Sequence, residues 1–452
     1  MRTFTFKGLF LTAVFMLLGC LSIQAADGDL ITKQITVKLD MAGTLPRKIA
    51  SYGAYKITNL RIIGEINGMD WQLIRVMAGR DYDGNATKGN LSVLDLSESK
   101  IVDGDRYCYY YFFGYGDDDD NINYGYTSND KIGDFAFCDC SGLTSLTLPS
   151  SITKIGKYAF SGCSGLTTLT IPDGVTEIGK SAFSGCRGLT SLTIPDGVTK
   201  IGNGAFKNCS GLTSLPLPAS ITTIGSGAFE GCTGLMSLPL PSSLTTIGDY
   251  TFSRCSGLKN LTLPASITTI GNNAFCGCSG LTSLTLPLNV TKIGIYAFAG
   301  CSGLTSFTLP AGVTEIGDYA FSDCSRLTSL TIPSSVKSLG DYAFENCSSL
   351  QSVYVSWPTP ISAGSAFSDV GINKCTLYVP QGTETDYFLA DVWGYFGNIV
   401  EYNPTGIDNV TTYTDAKELT RYSVNGQRLS APVKGLNIVK YSDGSVKKVV
   451  VQ

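Results

Sequence analysis

The sequence predicts a mainly β repeat solenoid in which short parallel strands stack unit upon unit. Three observations carry this expectation. Ten units begin at Lys131, Lys154, Glu177, Lys200, Thr223, Thr246, Thr269, Lys292, Glu315 and Ser338, every 23 residues without insertion, the last incomplete. A phenylalanine column from Phe137 to Phe344 and a leucine column from Leu143 to Leu350 run through all ten unbroken. Each unit also carries an alternating run such as LTSLTLP, Leu143–Pro149, the pattern of a half-buried strand. A unit of this length cannot bury its apolar side alone, so neighbours must stack and pair their strands in parallel.

The N-terminus reads as a targeting segment. Arg2 and Lys7 flank the apolar run GLFLTAVFMLLG, too short to span a membrane comfortably, and residues 1–25 read as a signal peptide. Two processing readings stay open. IQA-A at Ile23–Ala26 has the small residues of ordinary cleavage, whereas LLGC at Leu17–Cys20 resembles a lipobox, which would place a lipid on Cys20. Either implies export to a secreted or outer-surface location, with a lipid anchor in the second case and no transmembrane helix in both.

Residues 26–130 read as an N-terminal capping region of degenerate repeats. It ends in a loop over 106–130, rich in tyrosine and aspartate. Four consecutive aspartates, Asp117–Asp120, lack the alternating spacing of a calcium loop and read as solvated. The tyrosines Tyr109, Tyr110, Tyr111, Tyr115, Tyr124 and Tyr126 are candidate partner-binding residues, because aromatics on a loop beside a rigid scaffold suit recognition. Covering the open end of the solenoid is the competing role.

Within the solenoid, 131–355, each unit is a strand, a proline stop, a second short extended segment ending in IG, and a turn AFxxC expected to be one helical turn. Ser145, Thr147, Thr168, Thr170, Ser191 and Thr193 lie on the strand face pointing away from the core. They are candidate binding residues for a protein or glycan, or simply a solvated sheet of good β propensity. Pro216 and Pro239 replace the ladder threonine in two successive units and should weaken strand pairing there. The cysteine column, Cys140 to Cys347, invites a disulfide or metal reading. Stacked identical positions put neighbouring Cβ atoms about 4.8 Å apart with parallel vectors, wider than the roughly 3.8 Å a disulfide needs. Free, buried, core-filling thiols are expected, with Cys138 and Cys276 facing outward as the more reactive pair.

The pattern I-G-x-x-A-F-x-x-C-x-x-L-x-x-L-x-L-P, from Lys131 to about Val355, resembles the BspA-like class of bacterial leucine-rich repeats. NLRIIGEINGMDWQLIRVM and LSVLDLSESKI resemble degenerate opening repeats of such proteins, and Cys375–Asn403 their closing segment. That segment belongs to a cap over 356–403, in which Thr383 would open a helix placing Tyr387, Phe388 and Trp393 over the last core layer. The tail, 404–452, reads as a small antiparallel β module with turns at Asn425-Gly426 and Asp443-Gly444. It resembles a type IX secretion sorting segment of Bacteroidetes proteins. The resemblance implies a surface protein with host extracellular-matrix or bacterial-surface partners.

The chain contains no histidine, which removes imidazole bases, Ser-His and Cys-His nucleophiles and histidine-ligated metals. No catalytic residue, metal site or cofactor is therefore expected. The net charge of −4, with a charged fraction of 15%, leaves no basic surplus for nucleic acid. Three function classes remain: an adhesion or protein/glycan-binding scaffold, a structural spacer without a specific ligand, and, least supported, a carboxylate-dependent hydrolase.

Overall fold

A computed structural model describes residues 30–104, 107–112, 122–403, 418–423, 427–441 and 446–451. The signal segment with Cys20, the four aspartates, Tyr115 and the two Asx-Gly turns of the tail lie outside the described residues. The chain divides into two compact units, Met1–Tyr402 and Asn403–Gln452.

The first unit is a parallel β-solenoid built on two ladders. The first ladder carries the alternating strands. It runs through Ile35–Lys38, Asn59–Ile66, Val93–Ile101, Ser145–Thr147 and Thr168–Thr170, then resumes at Ser306–Thr308, Ser329–Ile332, Ser352–Val355, Thr376–Pro380 and Asn398–Tyr402. Its register steps one unit at a time: Leu146 pairs with Leu169 and Thr147 with Thr170. The second ladder is made of the two-residue segments before each IG glycine, from Lys131–Ile132 to Ser338–Leu339. Short as they are, these segments pair because, at every interface but that of Gly248, the glycine of a unit packs against backbone at or beside the glycine of the unit before. A Cβ on Gly271 would stand 2.6 Å from the Asp249 Oδ1 and 2.8 Å from the Gly248 carbonyl carbon.

Between the ladders lies the stacked core. Phe137, Phe160 and their successors to Phe344 are fully buried, with ring centroids 5.1 to 5.7 Å apart and planes within 13° of parallel. Such ring pairs stabilise by about 0.5–1.5 kcal/mol each beyond the area they bury. The AFxxC segment is a chain of i→i+3 turns, closed for example by Phe160 O accepting from Cys163 N. Its amides also reach the next unit, as Phe160 N donates to Ala182 O at 2.7 Å.

The ten cysteines of the column form no disulfide and are all buried. The geometry adds a role to packing. Each thiol from Cys163 to Cys347 donates to the phenylalanine carbonyl of the preceding unit, Cys163 Sγ to Phe137 O at 3.0 Å and Cys278 Sγ to Phe252 O at 3.0 Å. A small apolar group that can still satisfy a buried carbonyl is what this position requires. Cys138 departs from expectation: it is buried, 5% exposed, rather than outward-facing. Cys276 is half-buried, and burial raises its thiol above the ordinary value, opposite to the shift that activates a nucleophile.

Both ends of the solenoid are closed by departures from the repeat. At the N-terminal end the turn is replaced by a helix, Gly68–Met77, started by a capping box in which Asn67 and Asp70 exchange hydrogen bonds with each other's backbone neighbourhood. The buried Asp70 carboxylate also accepts from Gly43 N and Leu45 N, at 2.6 and 2.9 Å. Burial raises it above the usual carboxylate range despite these bonds. Trp71 packs on Phe137 with centroids 5.1 Å apart, and the buried Arg75 donates to Phe135 O and Ala136 O, carbonyls that no preceding regular unit can meet. At the far end Tyr387 and Trp393 are fully buried and join Phe367 and Phe396 over the last layer. Phe388 does not join them. It is 66% exposed, and Phe396 occupies the core instead. Thr383 starts the helix Glu384–Leu389 without a side-chain cap, its hydroxyl donating to Pro380 O.

The ladders are interrupted in two places. Beyond Thr170 the first ladder retains a single bridge, Ser191 with Ser214, until Ser306. Pro216 and Pro239 fall in this stretch, as their missing N–H predicts, but the parting extends past them to 260–263 and 283–286. The second ladder breaks once, between Thr223–Ile224 and Thr246–Ile247, giving two blocks of five strands.

The second unit is a four-stranded antiparallel sheet in the order Arg428–Leu429, Glu418–Ser423, Gly435–Tyr441, Val446–Val451. Its buried Arg421 is held by Glu418 at 2.8 and 2.9 Å and by Asn437 at 3.2 Å.

Two outcomes follow from this packing. Gly271→Ala should lower the unfolding free energy in urea by about 1–3 kcal/mol through overpacking against backbone. Gly248→Ala, whose Cβ would meet nothing closer than the Thr251 Oγ1 at 3.3 Å, should change it by no more than about 0.5 kcal/mol. The second outcome concerns alkali. Burial pushes the thiols of Cys186, Cys232 and Cys278 up to about 12, against an ordinary value of 9.0. Between these limits the unfolded chain holds fewer protons than the folded one. Stability is therefore complete below pH 9 and falls as the pH rises, by about 1.4 kcal/mol per pH unit for each such thiol. In urea unfolding at pH 9 to 11, Cys186→Ala/Cys278→Ala should show a slope shallower by about two such shares.

Candidate binding surface

The sequence-predicted hydroxyl face is formed on the first ladder. Leu146, Leu169 and Leu192 point into the core, and the residues between them point out: Thr147, Thr168, Thr170, Ser191 and Thr193 are exposed and Ser145 half-exposed. The pairing register sets Ser145 beside Thr168 and Thr147 beside Thr170. Ser191 and Thr193 continue the row where regular pairing has ended. The row is uncharged and its hydroxyls lie at strand spacing, so it can exchange hydrogen bonds with a partner without displacing ion pairs.

Toward the C-terminal end the same outward position changes chemistry. Thr308 pairs with Thr331, Thr331 with Tyr354, and Tyr354 with Tyr378. The last two rings stack with centroids 4.3 Å apart and planes 7° from parallel, and Tyr402 stands edge-on to both. Sequence reading missed this aromatic end because Tyr354 replaces threonine in the last, incomplete unit and Tyr378 lies beyond the regular period. The signal available was the alternation in SVYV and TLYVP, which puts a tyrosine in each outward slot.

The tyrosine-rich segment is not an irregular loop over its described part. Tyr107–Phe112 and Ile122–Tyr126 form an antiparallel hairpin in which Tyr110 stands opposite Tyr124, Tyr107 opposite Tyr126 and Tyr111 opposite Asn123. Tyr109 follows a register shift and pairs with Gly125. The candidate tyrosines other than Tyr115 are thus gathered on one two-stranded ribbon. Aromatic runs of high β propensity on both sides of the acidic stretch were the signal for it.

The second ladder carries a different surface. Its outer residues form ion pairs between successive units, Lys154 with Glu177 at 2.9 Å and Lys292 with Glu315 at 3.2 Å. Exposed pairs of this kind contribute little to stability. Beside it Tyr296, Tyr319 and Tyr342 stack face to face at 4.7 and 5.0 Å. All three adopt left-handed backbone, φ 55 to 57°, a position filled by Gly204 and Gly227 in other units. Ring stacking offsets the conformational cost that glycine avoids.

No group of three or more metal-ligating side chains occurs among the described residues, and no helix among them is long and apolar enough to cross a membrane. The concavities are shallow. One, of about 620 Å³, lies between 260–263 and 283–286, where the first ladder has parted, beside the exposed Leu288.

Comparison with known proteins agrees with this architecture. A family model described as the BspA type leucine-rich repeat region matches residues 130–259 and 268–382, in six copies. No curated protein matches the chain. Among solved structures, a leucine-rich repeat protein from Bacteroides ovatus is 29% identical over 56% of this chain and 82% of its own, with a TM-score of 0.31. The leucine-rich repeat protein of T. pallidum is 32% identical over 38% of this chain and 69% of its own, with a TM-score of 0.31. A leucine-rich cell surface protein from Faecalibacterium prausnitzii is 24% identical over 76% of this chain and 97% of its own, with a TM-score of 0.41. Repeat motif, stacked core and parallel ladders together place the chain: it belongs to the BspA-type leucine-rich repeat family.

Proposed function

We propose that this chain is exported to the cell surface and acts there as an adhesion or binding scaffold. The observation that carries this reading is an exposed, uncharged Ser/Thr row on the first ladder that ends in the stacked pair Tyr354–Tyr378. The core behind it consists of side chains already committed to packing and internal hydrogen bonds, so the chemistry left for a partner lies on the outward faces. The tyrosine hairpin adds an element that no repeat supplies, and non-repeating aromatic residues are the usual anchors of recognition. Export rests on the basic and apolar character of Met1–Gly19, and a sorting role for the tail rests on its antiparallel β composition. The partner class in this reading is a host extracellular-matrix or bacterial-surface protein or glycan. With no histidine in the chain, binding is preferred to catalysis.

The reading predicts measurable binding of the purified chain to at least one member of a panel of matrix proteins, mucins and bacterial cells. Replacing 106–126 by a short glycine turn, or Tyr354→Ser together with Tyr378→Ser, should weaken that binding by at least about tenfold. Binding to no member of the panel, or binding unchanged by both variants, would favour a spacer without a specific ligand.

A further inference from the structure

The break in the second ladder is confined to one interface between units. Everywhere else along the ladder, an IG glycine donates to the preceding isoleucine carbonyl: Gly225 N to Ile201 O at 2.9 Å, Gly271 N to Ile247 O at 2.8 Å. The threonine before each segment does the same, Thr222 N to Thr199 O at 3.0 Å and Thr268 N to Thr245 O at 2.9 Å. Among the described residues, the corresponding bonds from Gly248 to Ile224 and from Thr245 to Thr222 are not made. Ile224, alone among the isoleucines of this column, is only partly buried. A Cβ on Gly248 would find room that its counterparts lack.

The cause is legible in two residues, one on each side of the start of the unit at Thr246. Thr251 stands where nine other units have alanine, and Leu244 stands where its counterparts are isoleucine or valine. Thr251 is buried, 1% exposed, and its hydroxyl donates back to Gly248 O at 2.8 Å. The larger side chain needs room that alanine does not, and the close glycine approach is what gives way. The phenylalanine stack widens in step: its two longest spacings, 5.7 and 5.6 Å, flank Phe229.

The opposite side of the same interface stays joined. Phe229 N still donates to Thr251 O, at 3.0 Å against 2.7–2.8 Å in the other units, and Gly231 N to Ser253 O at 2.8 Å. The second-ladder edge is open from Thr222 to Gly225 and the turn edge is held, while the first-ladder side has no paired strands here and keeps the bond from Lys259 N to Met236 O at 3.1 Å. We propose that the interface between the units starting at Thr223 and Thr246 is a built-in hinge, at which the array flexes as two five-strand blocks and the turn-side bonds, no longer backed by the second ladder, open more often than at the other interfaces.

Hydrogen exchange of the full chain tests this, with amides that remain bonded as the informative probes. An unbonded amide at Gly248 would exchange quickly even in a rigid gap, so it does not discriminate. If the interface opens, the amides of Phe229 and Gly231 should exchange at least about tenfold faster than those of Phe206 and Phe252. Thr251→Ala restores the residue of the other units and should bring Phe229 and Gly231 back to the rates of their counterparts. Equal protection of Phe229 and Phe206 in the unaltered chain, or fast exchange at Phe229 that Thr251→Ala leaves unchanged, would overturn the proposal.

Discussion

Everything in the array depends on setting each side chain directly over the same side chain of the preceding unit, at the spacing a parallel strand pair allows. Phenylalanine over phenylalanine, thiol over carbonyl and glycine over glycine are three forms of that constraint. It explains why some columns tolerate no change while the outward hydroxyl positions drift. A ring can stack only on a ring in the same place, and a glycine can approach a backbone only where the neighbour also lacks a Cβ. It also explains the cysteine. Alanine would remove the second donor of a phenylalanine carbonyl, leaving it only the amide of its own unit, and a larger apolar residue would overfill the space between successive units.

Where the constraint is relaxed, the consequences stay local. Thr251 and Leu244 open one interface of the second ladder but leave the turn side closed, because the two edges of a unit are bonded by different residues. The ends show the same logic. A regular unit cannot terminate the stack without exposing a layer of phenylalanine and a row of carbonyls. The helix Gly68–Met77 meets this with Trp71 over Phe137 and Arg75 on the carbonyls. The C-terminal cap meets it with Tyr387 and Trp393, each of which also donates to a backbone carbonyl, Trp357 O and Ile361 O.

Much of this was legible in the sequence, because a period of 23 residues repeats every environment ten times and averages out local ambiguity. The solenoid, the parallel pairing, the buried thiols and the outward hydroxyl row follow from the columns alone. What escaped lies where only one copy exists. The helix Gly68–Met77 was hidden inside a segment whose leucine spacing resembles a strand repeat, although Asn67 and Asp70 mark its start. The burial of Cys138 was obscured because its column mixes the charged Lys207, Glu230 and Glu345 with small residues, and the small Ser253, Ala299 and Ser322 are buried there as well. Phe388 and Phe396 could not be ranked from spacing, since both lie in an aromatic-rich stretch and only the chain path decides which turns inward. The candidate site divides in the same way: the Ser/Thr row was read from its period, while Tyr354 falls in the incomplete last unit and Tyr378 lies past it.

The central claim is that the unit of stability is one 23-residue register step, and excision tests it most directly. Deleting 269–291 joins Thr268 to Lys292 and returns every column to register, whereas deleting 269–280 removes about half a step and sets phenylalanine against strand. Circular dichroism and urea unfolding of the two proteins should show a cooperative fold close to the parent for the first. The second should lose cooperative unfolding beyond the deletion. An in-register deletion as disruptive as the half-step one would contradict the account.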